Sequence, residues 1–106
     1  MEQTTPVDAE DYAEAVLSVV EQIPPGRVMT YGSIAEIVGR GGPRQVGTVM
    51  ARYGGGVPWH RVVNASGRLV PGHEAEALSR HRAEGTPMRG PDRDHVDLSA
   101  ALWFPP

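Results

Sequence analysis

TYGSIAEIVGRGGPRQVGTVMARYG, residues 30–54, decides the fold. Thr30 is a capping hydroxyl placed just before Tyr31–Val38, which reads as a short helix ended by Gly39. Its apolar members Ile34, Ile37 and Val38 fall on one side. RGG (40–42) reads as a tight turn, and Pro43 opens a second helix over about 43–53 that Gly54 ends. Two short helices joined by a glycine-containing turn form the helix-turn-helix pattern.

The second helix has two unlike faces. At 100° per residue, Val46, Val49, Met50 and Tyr53 share one side, the expected core side. Arg44, Gly47, Thr48 and Ala51 share the other. An ordinary solvated face carries long polar side chains, whereas this one carries a single long cation and otherwise small groups. A glycine inside a helix costs about 1 kcal/mol relative to alanine, so Gly47 needs a reason. Either the backbone there approaches DNA, whose phosphates and grooves suit a helix backbone, a hydroxyl and an arginine, or it packs tightly against another protein segment.

Upstream, Thr5-Pro6-Val7-Asp8 has the signature of a helix start. Tyr12, Val16, Val19, Val20 and Ile23 then recur at helical spacing until Pro24-Pro25-Gly26. Arg27-Val28-Met29 is a short extended link. Downstream, YGGGVP (53–58) leads to VPWHRVV (57–63), in which Val62-Val63 read as extended and Asn64-Ala-Ser-Gly67 as a turn. HEAEALSRHRAE (73–84) is a last helix with Ala75, Leu78 and Arg82 spaced for packing. In the tail, Leu98, Leu102, Trp103 and Phe104 are expected to fold back onto the body. The whole chain, 1–106, reads as one domain with a core of about 8–85 and a tail of 86–106 packed back.

Composition narrows the function. The chain has no cysteine, which excludes disulfides, thiolate metal sites and a cysteine nucleophile. No apolar run is long enough to span a membrane, and MEQTTPVDAEDY is too acidic for a secretory signal. The expected location is therefore the cytoplasm, at the nucleoid. His73, His81 and His95 lack a carboxylate partner at ligand spacing, so no metal and no cofactor is expected. The net charge of −3 hides an asymmetry: −6 over residues 1–23, +5 over 24–68 and −2 over 69–106, every cation being arginine. A basic middle can present a local positive face to phosphates, although solvated surface arginines give the same count.

VPWHRVV sets Trp59, His60 and Arg61 side by side, with no nucleophile beside the histidine. A catalytic site, a core segment and a site that binds without reacting all remain open on these residues alone.

Taken together and in order, TYGSIAEIVG, GPRQVGTVMARY and VPWHRVVNASG resemble the DNA-binding domain of the O6-alkylguanine-DNA alkyltransferases over roughly residues 8–85. In that family a helix-turn-helix precedes a Pro-Cys-His-Arg-Val motif whose cysteine accepts an alkyl group from damaged guanine. Here the motif reads Pro58-Trp59-His60-Arg61-Val62. Trp in place of the acceptor resembles the alkyltransferase-like branch, which lacks it.

The resemblance implies a mainly α fold: a winged-helix-like helix-turn-helix domain as in the C-terminal domain of the alkyltransferases, with short extended segments. It implies that Arg44 is a finger entering the base stack, and that Tyr31 helps rotate the nucleotide and touches the flipped base. Gly47, Thr48 and Ala51 match the helix face that enters the minor groove. Trp59, Tyr31, Val62 and Arg61 are expected to line an alkylguanine pocket, and His60 and Glu84 to be the remnant of the active-site network. The family's asparagine before the motif is missing; RYGGG stands there in a shorter loop. The implied function is a non-enzymatic sensor. It is expected to act as a monomer, to flip O6-alkylguanine in duplex DNA and to pass the site to nucleotide excision repair proteins. An enzyme acting on modified bases through His60 or Glu84, and a helix-turn-helix transcription regulator, are the alternatives.

Overall fold

The computed structural model describes residues 5–106, with side chains from Ala9 onward. The capping role expected of the Thr5 hydroxyl lies outside the described side chains. Helix α1 (Thr5–Gln22) buries Ala13, Val16, Val19 and Val20 along one stripe, continued by Ile23 just past its end. Gly26, at φ 83°, turns the chain in a conformation that side-chain-bearing residues rarely adopt. Strand β1 (Met29–Thr30) leads directly into α2 (Tyr31–Val38). Thr30 caps α2 through a reciprocal pair: its Oγ1 accepts from the Ser33 N–H, and its own N–H donates to Ser33 Oγ. Gly39 closes α2 at φ 88°, and α3 (Pro43–Tyr53) follows. Gly42, at the start of α3, has no side chain to cap with; Gln45 Oε1 accepts the Gly42 N–H instead.

Beyond α3, Gly54–Gly56 and Trp59–Arg61 form two 3₁₀ turns before β2 (Val62–Val63). Strand β2 pairs in parallel with β1, Met29 opposite Val62 and Thr30 opposite Val63. Helix α4 (Glu74–Glu84) is followed by a hairpin of β3 (Met88–Arg89) and β4 (His95–Val96), and then by the single turn α5 (Leu98–Ala101).

Two apolar clusters meet at the β1–β2 pair. Successive residues of a strand point to opposite sides. Met29 and Val62 therefore join α1, α2 and α3 in one cluster with Val16, Val20, Ile34 and Val46. Their neighbours Val28 and Val63 join Leu69, Ala77, Val96 and Ala101 in the other. The C-terminal residues are thus part of the core: Val28 N–H donates to the Ala101 carbonyl at 3.0 Å, and Trp103 N–H to the Val28 carbonyl at 2.9 Å.

Five expectations are corrected. Tyr53 is 53% exposed, because α3 gives way to the glycine turn beyond the edge of the core. Ile37 is 45% exposed, because Ile34 and Ala35 carry the packed side of α2. On α4 the buried residues are Ala77 and His81, while Ala75 and Arg82 are exposed and Leu78 is half-buried. Residues 86–106 pack back, giving Val96 and Ala101 to the second cluster, but they also form a hairpin that local patterning does not reveal. Within them Leu98, Leu102 and Trp103 are partly buried, and Phe104 stays exposed.

Gly67, at φ 80°, faces the hairpin so closely that a Cβ would lie 2.3 Å from the Val96 carbonyl oxygen. Gly67→Ala combines a strained φ with a backbone collision. It should lower the unfolding free energy by about 2–3 kcal/mol in urea titration; an unchanged midpoint would contradict this placement of the hairpin.

Candidate nucleic-acid interface

Helix α3 presents Arg44, Thr48 and Ala51 to solvent and keeps Val46 and Val49 inside. The Thr48 hydroxyl donates to the Arg44 carbonyl at 3.1 Å, which holds the side chain against the helix and keeps the face low. A Cβ added at Gly47 would meet nothing within 4 Å. Tight packing inside the chain therefore does not account for Gly47. The open position lies instead on the rim of a cavity.

That cavity has a volume of about 450 Å³, within the range typical of small-ligand sites. Tyr31, Gly47, Ala51 and Trp59 line it, so the start of α2, the bare face of α3 and the PWHRV motif converge on one space. Met50, Gly54, Gly55, Val70, Pro71, His73 and Glu76 complete the lining. None of these seven was expected at the site. The run of glycines after α3 was the available sequence signal, whereas Val70, Pro71, His73 and Glu76 come from a segment that only tertiary folding brings near. Burial raises the Tyr31 pKa, so its hydroxyl stays protonated and can donate. Trp59 is half-buried and framed on several sides. Its ring meets His73 edge-on at 5.8 Å between centroids, and the Arg80 guanidinium lies 5.5 Å over it.

Other residues named from the sequence are elsewhere. Val62 is fully buried opposite Met29, because β2 turns it into the core. Arg61 does not line the cavity; its guanidinium is held by Glu84 and by the Ile23 carbonyl at 2.8 Å. Arg44 and Thr48 lie on the exposed surface of α3 and are not among the lining residues.

His60, Arg61 and Glu84 form their own cluster, His60 buried and the other two partly so. The Glu84 carboxylate accepts from His60 Nε2 at 2.8 Å, from Arg61 NH2 at 2.7 Å and from the Gly26 N–H at 3.1 Å. Burial raises the Glu84 pKa, but the Arg61, Gly26 and His60 donors outweigh it and hold the carboxyl at about 2. His60 is 3% exposed, and burial lowers its pKa against the pull of Glu84. A neutral His60 that donates from Nε2 leaves Nδ1 as a bare acceptor, buried without a partner among the described residues. Beneath it, fully buried His81 contacts the His60 carbonyl through Nε2 at 2.8 Å and Thr86 Oγ1 through Nδ1 at 2.9 Å. A neutral ring with its proton on Nε2 satisfies both contacts, the threonine hydroxyl donating to Nδ1. Burial lowers the His81 pKa as well. No cluster of three or more His, Cys, Asp or Glu among the described residues could hold a metal ion.

Residues 11–85 match the DNA-binding domain of 6-O-methylguanine DNA methyltransferase. The chain belongs to that family. It is 36% identical to a DNA base-flipping protein of Escherichia coli (strain K12) over 110 aligned positions, spanning 95% of this chain and 81% of that one. It is 41% identical to alkyltransferase-like protein 1 of Schizosaccharomyces pombe over 63 residues, 57% of this chain and 58% of that one. The fold superposes on the crystal structure of S. pombe Atl1 in complex with damaged DNA containing O6-carboxymethylguanine, with a TM-score of 0.78 and 31% identity over 91% of this chain and 97% of that one. The helix-turn-helix expected from the sequence is thus the alkyltransferase-like fold.

The buried cluster makes stability pH-dependent with a definite sign. His60 and His81 have folded pKa values below 6.5, so the stability they carry is present above pH 6.5 and lost as pH falls through it. Glu84 carries about 3 kcal/mol that is present above pH 4.5 and lost between 4.5 and about 2. Urea unfolding from pH 7.5 to 2.5 should show both declines. Glu84→Gln should lose about 3 kcal/mol at pH 7 and show a flatter curve below 4.5; a parallel curve would reject the assignment.

Proposed function

We propose that this protein binds O6-alkylguanine in duplex DNA, flips the modified nucleotide into the Trp59 cavity and holds it there without repairing it. The observation that carries the reading is the convergence of Tyr31, Gly47, Ala51 and Trp59 on one cavity beside the bare face of α3. The relatives named for base flipping, and the Atl1 complex with O6-carboxymethylguanine DNA, support it.

The physical steps follow from the residues. The O6 edge of a guanine is inaccessible to a pocket while the base is stacked, so the base must leave the helix, at a cost of a few kcal/mol that falls where alkylation has already weakened pairing. Helix α3 enters the minor groove with Gly47, Thr48 and Ala51, whose small size lets its backbone come close to the strands. Arg44, exposed near the start of α3, fills the vacated stack and offsets part of the flipping cost through stacking and charge. Tyr31 contacts the rotated nucleotide from the other side of the opening. Trp59 gives the extruded base and its alkyl carbon an aromatic wall.

No transfer follows, because an indole has no usable lone pair for accepting an alkyl group at neutral pH. His60 and Glu84 do not line the cavity, and their ring nitrogen and carboxylate are occupied with one another, so an enzyme built on them has no reaching geometry. His60 and Glu84 instead persist as a structural remnant beneath the site. A bound protein that cannot repair the lesion has a role only as a marker. We assign the protein as a monomeric sensor, located at the nucleoid in the cytoplasm, whose complex is recognised by nucleotide excision repair.

Binding to two duplexes identical except for one O6-methylguanine, at physiological salt, should show a clear preference for the modified one, with the methyl group still on the DNA afterwards. Equal affinities, or a demethylated product, would refute the reading. Arg44→Ala should weaken binding to the modified duplex at least tenfold, since it removes the group that fills the stack.

Gly47→Ala should separate stability from function. The added methyl meets open space in the free protein, so unfolding should become harder by about 1 kcal/mol, while affinity for the modified duplex falls. A variant that gains stability and keeps its affinity would show that the α3 backbone does not approach DNA there.

A further inference from the structure

Glu76 is the only acidic or basic side chain, histidine apart, among the residues lining the Trp59 cavity. It shares that lining with Tyr31, Gly47, Ala51, Trp59 and His73. A base held in the cavity, with whatever is attached to it, therefore shares the space with one carboxylate. Glu76 has a partner: its Oε2 accepts from Arg80 NH2 at 2.7 Å and from Arg80 Nε at 3.1 Å. Arg80, however, lies over the Trp59 ring and does not line the cavity. The pair therefore shows the cavity its negative member, while the positive member braces the indole.

Other charges nearby do not reverse this. Arg61 is held by Glu84 and the Ile23 carbonyl. Glu74, the other acid in the first turn of α4, lines a separate cavity with Arg68, Asp94 and His95. The N-terminus of α4 contributes about half a positive charge from its free N–H groups, less than the full charge of a carboxylate.

We infer that Glu76 sets the charge selectivity of the site, so that neutral or cationic O6 substituents are held and carboxylate-bearing ones are disfavoured. This rests on the reading that the cavity receives the alkylated base. It sets this chain apart from the solved S. pombe relative, whose complex contains an O6-carboxymethylguanine. Two like charges meeting at a partly solvated wall, one of them partly neutralised by Arg80, should cost about tenfold in affinity.

The test is the Kd of the full chain for four matched duplexes carrying guanine, O6-methylguanine, O6-carboxymethylguanine or O6-(2-aminoethyl)guanine. The ratio of the carboxymethyl to the methyl Kd should be about ten, and the aminoethyl ratio should be one or less. In Glu76→Gln the carboxymethyl ratio should fall to about one. In Arg80→Met, which keeps an apolar stem over the indole but leaves Glu76 unneutralised, it should rise. A role limited to bracing Trp59 would instead weaken all three adducts alike in both variants, and that result overturns the inference. A wild-type ratio of one, or a ratio that Glu76→Gln does not move, also overturns it while leaving the sensor reading intact. If all four duplexes bind alike, both fall.

Discussion

The carboxylate of Glu84 is the constraint on which the PWHRV turn depends. It gathers the glycine turn after α1, the PWHRV motif and the end of α4, segments up to 58 residues apart, onto two oxygens. Arg61 extends the link to the Ile23 carbonyl. Such a cluster holds because its charges compensate and its donors converge on one carboxylate, and it fails badly if one member is removed. Trp59 sits one residue before His60, so the rigidity of the cluster is passed to the wall of the cavity.

The two-stranded pairing of β1 and β2 supplies the second fixed relation. Three valines and a methionine would give little more than a few hydrogen bonds by themselves. They matter because the alternation of a strand sends Met29 and Val62 into one apolar cluster and Val28 and Val63 into the other. Helix α2 starts directly after β1, and the motif turn ends directly before β2. Tyr31 and Trp59 are thereby held on a common frame, although they are far apart in the chain. The helix-turn-helix hangs from the same frame through Ile34, Val46 and Val49.

Binding without reaction asks for a different use of free energy from catalysis. A transferase needs interactions that strengthen in the transition state; a sensor needs the bound state itself to be low. An aromatic wall framed by His73 and Arg80 before any ligand arrives reduces the ordering that binding requires. Gly47 and Gly55, where a Cβ would meet nothing within 4 Å, leave open space at the cavity lining.

The sequence by itself determined the helix-turn-helix and its limits, because helix ends are local chemistry. Thr30 with Ser33, Gly39 and Pro43 act on their own neighbours, and each element is where these residues put it. The order of the three motifs likewise determined the family, and the missing cysteine excluded the thiol chemistry. Tertiary structure decided the rest. Val62 and Arg61 sit beside Trp59 in the chain yet turn away from the cavity, since a 3₁₀ turn leading into a strand sends neighbours in different directions. The buried face of α4 escapes periodicity because His81 counts as polar there, and only the His60 carbonyl and Thr86 make its burial affordable. Glu76 and His73 reach the cavity through the packing of α4 against the motif turn, a contact between distant segments that no local pattern encodes.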